Sequence, residues 1–317
     1  MRRLRNSEPI RDMLRETRIS GERLVMPVFV DENLKAKKEL SSLPGIYTYS
    51  PEYYHNYIQD LEGIGTKSIL LFGIPGTKDS RGSSAYDRNG VVQEAIRDAK
   101  ASTGMNVIAD LCLCEYTDHG HCGIVEDNYV NNDKTLEIYQ KIALSYAESG
   151  VDIIAPSGMM DGQVKAIRQV LDEEGFEKVM VMAYSSKYSS NLYGPFREAA
   201  QSTPGFGDRK SYQMDYSNSR EALMEIDLDV KEGADIVMVK PAIFYLDIIS
   251  RARSLYNLPI AAYNVSGEYS MIMSAIRNGY LAEDTIREAV TSIFRAGADI
   301  VISYFTEALL REGKEHL

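Results

Sequence analysis

Cysteine, histidine and basic charge are all scarce in this 317-residue sequence, and no long apolar run is present. Three cysteines are too few for a disulfide framework, and their odd number points to a reducing compartment, here taken as the cytoplasm. Lys and Arg total 35 against 46 Asp and Glu, a net charge of −11. That balance argues against a nucleic-acid partner, because phosphate binding needs a local surplus of positive charge. No stretch approaches the roughly 18 apolar residues required to cross a bilayer, so no membrane partner is expected. The first six residues are basic but lack an apolar core, and Glu8, Asp12 and Glu16 follow, which does not fit a secretory signal. What is plentiful is core material: 44% of residues are hydrophobic and 26% charged, the composition of a folded domain rather than a disordered chain.

Short apolar runs alternate with amphipathic stretches along the chain. Strands are expected at 26–30, 68–74, 106–113, 152–157, 178–185, 235–240, 260–265 and 299–305. These runs are nearly continuous rather than alternating, as in a parallel sheet covered on both faces. Between them the spacing becomes helical. Leu136, Tyr139, Ala143, Tyr146 and Ala147 share one face before Gly150, and Val164, Ile167, Val170 and Leu171 repeat the pattern behind Asp161, a candidate N-cap. Leu223, Ile226 and Val230 follow Ser219 and end at Gly233, and Ile286, Ala289, Val290 and Ile293 precede Gly297. Strand then helix, repeated eight times, predicts an α/β fold, a (β/α)8 TIM barrel over 26–317; a doubly wound open sheet is the rival. Residues 1–25 carry seven arginines and read either as a solvated leader or as an N-terminal arm packing on another subunit.

Two connections, 114–132 and 186–218, are too long for routine turns and follow strands, where barrel active sites lie. All three cysteines fall beside the first, as Cys112, Cys114 and Cys122 in DLCLCEYTDHGHCG. Cys112 and Cys114, two apart at an expected strand end, would point the same way, and a turn through Gly120 would return Cys122 to them. Three thiolates suit zinc and leave one tetrahedral position for water or substrate. His119 or His121 could take that position or hydrogen-bond nearby. The bland alternative is three unconnected buried thiols.

Two apolar strands end in lysine: Lys187 after MAYSS and Lys240 in VMVKP. Such a lysine either reaches out to water or sits desolvated with a lowered pKa. On adjacent strands the two would depress each other's pKa, producing the neutral amine that attacks a ketone to form a Schiff base. The loop after Lys187 holds Arg197, Arg209, Lys210 and Gln213 among glycines, serines and tyrosines, the make-up of a mobile flap able to clasp a carboxylate. A plain solvated loop would have a similar composition. Schiff-base lysines, arginines and a Lewis-acidic metal together suggest a keto-acid substrate.

The segments DLCLCEYTDHGHCG, MAYSSKYSSNLYGPFREAA, GFGDRKSYQMD, VMVKPAIFYLDI and YNVSGEYSM, in this order, resemble the porphobilinogen synthase (5-aminolevulinate dehydratase) family over nearly the whole chain. The resemblance implies a lyase of tetrapyrrole and haem biosynthesis that condenses two 5-aminolevulinate molecules to porphobilinogen with loss of two waters. It implies Schiff bases on Lys187 and Lys240, and zinc on Cys112, Cys114 and Cys122. It assigns Arg197, Arg209 and Gln213 to one substrate, Ser266 and Tyr304 to the carboxylate of the other, and supporting roles to Asp110 and Tyr193. It further implies a homo-octamer, or a hexamer if the arm swings. Glu225 matches a position that binds a stimulatory, allosteric magnesium ion, although a solvated helix face explains it as simply. One departure is Met214-Asp215-Tyr216, where a proline is expected after the aspartate; it bears on the flap's path. A class I aldolase-type barrel would need one lysine and no thiolate zinc, and a structural zinc clip would need a closed, four-ligand site.

Overall fold

The computed structural model describes residues 1–315, with side chains as far as residue 312. Eight parallel strands form its centre: β1 (Leu24–Asp31), β2 (Ser68–Ile74), β3 (Asn106–Leu111), β4 (Ile153–Pro156), β5 (Met180–Lys187), β6 (Ile236–Lys240), β7 (Ile260–Asn264) and β8 (Ile300–Ser303). Each pairs with the next, and β8 returns to β1 through Leu24↔Val301 and Val25↔Ile302. The sheet is therefore a closed barrel, which removes the doubly wound alternative. Both faces of the strands are covered, so runs such as LVMPVFVD and IVMVK are buried along their whole length. Each fully buried Val, Leu or Ile contributes about 1.5–3 kcal/mol relative to exposure.

The outer helices begin and end on the expected chemistry, with exceptions. Asn131 caps Asn132–Glu148 by accepting from the Lys134 N–H at 3.1 Å, and Gly233, at φ +103°, closes Ser219–Glu232. Asp161 is not a cap. Gly162, at φ +77°, occupies that position for Gln163–Glu173, because the chain enters the helix through a left-handed turn that favours glycine. Asp161 instead donates its N–H to Asn132 Oδ1 at 2.8 Å.

The third strand is shorter than the apolar run suggests. It stops at Leu111, because the Leu113 carbonyl accepts the N–H groups of Tyr116 and Thr117, both at 2.9 Å, and winds the chain into a turn. The fourth and eighth strands are likewise shorter at both ends, while the fifth extends to Lys187 itself. The connection after β3 contains a hairpin, Ile124–Glu126 with Tyr129–Asn131. The connection after β5 contains a short helix, Gly194–Ala199. Before β1, Arg2–Arg5 and Glu8–Met13 form two short helical turns with no buried residue.

Candidate active site

The cysteines converge as expected, by a different route. Cys112 and Cys114 lie just past β3, so the turn rather than strand alternation aims both thiols inward. Cys112, Cys114 and Cys122 are all buried, and their sulfurs lie within 4.8 Å of one another, with 3.4 Å between Cys112 and Cys114. Zinc–sulfur bonds of about 2.3 Å would place tetrahedral sulfurs about 3.8 Å apart, so the three donors fit such an ion closely. Hydrogen bonds from the other two thiols hold Cys122 well below the usual thiol range, helped by the charges of Arg209 and Lys187. Neither histidine supplies a fourth ligand. His121 Nδ1 meets the Tyr212 hydroxyl and Nε2 the Phe206 carbonyl, both at 3.0 Å. His119 Nδ1 accepts the His121 N–H at 3.1 Å, and Nε2 faces the Ser80 carbonyl at 3.3 Å. Among the described residues the cluster offers three sulfurs and no histidine, with the Glu115 carboxylate beside Cys114.

The two lysines face one another across the neighbouring strands, with Lys187 and Lys240 as direct partners in the β5–β6 register. Their approach depends on an irregularity. Ala183 pairs with Val237 and Ser186 with Val239, so three steps on β5 match two on β6. The extra residue is a β-bulge, and it re-aims side chains. Tyr184 and Lys187, three apart, would point to opposite faces of a regular strand; here the Lys187 amine lies 5.5 Å from the centre of the Tyr184 ring. The Lys240 amine lies 4.9 Å from that same ring, 4.2 Å from Tyr263, 5.1 Å from Phe196 and 5.4 Å from Tyr193. Both lysines are 5% exposed. Burial first, and the positive charge of Lys187 second, bring the Lys240 pKa down to about 7. Asp110 is the counter-charge: burial pushes its pKa up while Lys187 and Lys240 pull against that rise. Its Oδ2 accepts from the Ser157 hydroxyl at 2.9 Å, and the Ser157 carbonyl accepts from the Lys187 amine.

The remaining expected residues fall into two groups, one at the flap and cysteine loop and one around Lys240. Arg209 is buried among the cysteine-loop and flap carbonyls, donating to Gly120 at 2.9 Å and to Ser202. Arg209 Nε, Arg197 Nε and both amide atoms of Gln213 are buried without a hydrogen-bond partner among the described residues. Buried polar groups are nearly always paired, so these orphans mark a space shaped for a polar ligand. Around Lys240, the Tyr193 hydroxyl donates to the Lys240 carbonyl at 3.3 Å and Tyr304 meets Tyr263 hydroxyl to hydroxyl at 3.3 Å. Ser266 accepts the Phe196 N–H at 3.0 Å and donates to the Leu192 carbonyl at 3.3 Å, fastening the flap helix over this half of the site.

A family model described as delta-aminolevulinic acid dehydratase matches residues 1–312. A curated relative of that name from Archaeoglobus fulgidus is 56% identical over 310 residues, 98% of this chain and 96% of its own. Another, from Staphylococcus epidermidis, is 50% identical over 314 residues, covering 98% and 97%. The chain belongs to the delta-aminolevulinic acid dehydratase family. A crystal structure of the Toxoplasma gondii delta-aminolevulinic acid dehydratase, solved with the reaction product porphobilinogen, superposes with a TM-score of 0.97 at 37% identity, covering 100% of this chain and 92% of that one. Like the family it belongs to, the protein is a lyase of porphyrin biosynthesis.

Glu225 borders the flap rather than standing clear of it. It lies half-buried on the helix Ser219–Glu232 and lines a cavity of about 220 Å³ with Asp161, Glu221, Lys210 and Gln213. Burial and the negative charges of Asp161, Glu221 and Glu232 push its pKa up. Several groups at the mouth escape sequence reasoning. Ser157 follows directly on β4 and was legible only as the end of the expected strand 152–157; its position at the C-terminal rim was the available signal. Tyr184 depends on the bulge, which no pattern announces. Glu115, whose Oε2 is 3.2 Å from Cys114 Sγ, is raised by burial to about 7.

Proposed function

We propose that the protein condenses two molecules of 5-aminolevulinate to porphobilinogen with loss of two waters, through one Schiff base on Lys187 and another on Lys240. The observation that carries this reading is two buried amines on paired strand ends, one with a pKa of about 7, beside a three-sulfur cluster. Imine formation needs a free amine, and burial beside the positive charge of Lys187 supplies one at Lys240 at neutral pH. Each lysine attacks one substrate ketone, and the carbinolamine formed loses water. Asp110, poised between both amines and hydrogen-bonded to Ser157, is placed to take up and return protons during these steps. Deprotonation beside one imine gives an enamine that attacks the carbon of the other imine, forming the carbon–carbon bond, and that second lysine then leaves as its free amine. The free amino group of the substrate it held attacks the regenerated first imine carbon, expelling the first lysine and closing the ring, and loss of a ring proton gives the pyrrole. Arg197, Arg209 and Gln213 offer the orphaned donors to one substrate's carboxylate; Ser266 and Tyr304 do so for the other once the flap releases Ser266.

Cys112, Cys114 and Cys122 would hold zinc, which supplies Lewis acidity beside the amines. Glu225 in this reading holds magnesium away from the reaction, with Glu221 and Asp161 nearby. The segment 1–25 is read as an arm packing on a second copy, in a homo-octamer. Porphobilinogen formation from 5-aminolevulinate tests the function. The protein should make it, lose activity on zinc chelation and recover it on zinc return; no product under any metal condition would refute the proposal. For Glu225, E225Q should abolish stimulation by magnesium and leave the unstimulated rate intact.

A further inference from the structure

Around the mouth, the C-terminal ends of β6, β7 and β8 are joined by a buried polar chain that no step above uses. Its centre is Glu268, on the first turn of the helix Ser266–Arg277. Glu268 Oε1 accepts the Ile243 N–H at 2.7 Å, three residues beyond Lys240. Its Oε2 accepts Asn264 Nδ2 and the Val265 N–H, each at 2.9 Å. Asn264 Oδ1 in turn accepts the Ser303 hydroxyl at 2.8 Å, and Ser303 Oγ accepts the Phe305 N–H at 3.1 Å. Asn264, Glu268 and Ser303 are all 0% exposed. The chain thus brackets Lys240 on β6, Ser266 beyond β7 and Tyr304 beyond β8.

We infer that Glu268 is a positioning residue that sets Lys240, Ser266 and Tyr304 in register with one another as a single half-site. Ordinary helix capping does not account for it. A cap needs only the Val265 N–H, whereas the second oxygen reaches across to the loop after Lys240. Every group it meets is a donor, so both oxygens must accept, and only a carboxylate offers two acceptors in that fork. Glutamine would turn an N–H₂ toward at least one of these donors, freeing either the Lys240 side or the Asn264 side. Misplacement by about 1 Å at a reacting group can lower a rate on the order of a hundredfold. Lys187 itself stands on β5 with Asp110 and Ser157 beside it, outside this chain, which reaches that half through the flap helix that Ser266 fastens; Lys187 should therefore feel the change far less than Lys240.

The inference rests on the two-imine reading, and the test separates the two. Full-length protein is incubated with 5-aminolevulinate, reduced with borohydride, and its Lys187 and Lys240 peptides are quantified separately by mass spectrometry. E268Q should slow labelling of Lys240 by about tenfold or more, leave Lys187 within about twofold, and raise KM for 5-aminolevulinate. S303A cuts the chain at its far end and should shift labelling in the same selective direction; it decides the matter if E268Q does not fold. Equal losses at both lysines would mean a merely structural role and overturn the inference. So would unchanged Lys240 labelling in the folded variant. An unlabelled Lys240 in the unsubstituted protein would instead refute the two-imine reading itself.

Discussion

Lys240 is the residue whose chemistry is most exposed to test. Its pKa of about 7 has burial as the first cause, the charge of Lys187 as the second and Asp110 as the opposing influence. Only the free amine attacks a ketone, so borohydride labelling of Lys240 should rise with pH through a midpoint near 7. The K187M substitution removes the neighbouring positive charge and should move that midpoint upward, toward the ordinary lysine value. D110N removes the negative charge and should move it downward. Midpoints that stay fixed in both variants would contradict the electrostatic account. The lysines were legible in sequence because an ammonium at the end of an apolar strand is out of place there. Arg209 and Gln213 were singled out in sequence as substrate-binding candidates, but their burial was not legible, since it depends on how the flap lies against Gly120 and Ser202.

At the scale of elements, the flap and the cysteine loop hold the mouth together. The flap helix inserts Phe196 5.1 Å from the Lys240 amine and packs it edge-on against Phe72 at 5.0 Å. With Lys240 only 5% exposed, substrate must enter by lifting this helix. F196A should therefore raise the rate at which an amine-directed reagent modifies Lys240 without substrate, and lower kcat/KM by about tenfold. Unchanged modification would show that the flap does not guard the amine. The flap rests on Gly267, where a Cβ would come within 2.5 Å of the Leu192 carbonyl oxygen. Gly158 serves the cysteine loop in the same way. A Cβ there would overlap the Tyr139 hydroxyl, which donates to the Cys122 carbonyl at 2.6 Å. G158A should cost about 1–3 kcal/mol in a denaturation experiment, as overpacking does, and weaken zinc retention in dialysis. Periodicity marked the strands and helices well, but not the bulge at Tyr184 or the turn that ends β3 at Leu111. Both are set by hydrogen bonds between segments rather than by local pattern.

As a whole molecule, the barrel was legible because eight apolar runs separated by amphipathic helices have few ways to bury both faces of a parallel sheet. Closure rested on the count of eight strand–helix units rather than on any local signal, since the Leu24↔Val301 pairing joins residues at opposite ends of the chain. The segment before β1 buries no residue in its two short helical turns, and Met1 at 90% and Met13 at 72% are largely exposed. Removing residues 1–20 should leave the barrel's circular dichroism intact and lower the assembly mass in light scattering; an unchanged mass would free the arm from any role in assembly. The central claim, however, is that two amines at one mouth each carry a substrate. Intact mass after borohydride reduction in the presence of 5-aminolevulinate tests it most directly. The account predicts a species bearing two reduced substrate increments, mapped to Lys187 and Lys240. A single increment on one lysine, under every condition of pH and zinc, would contradict it.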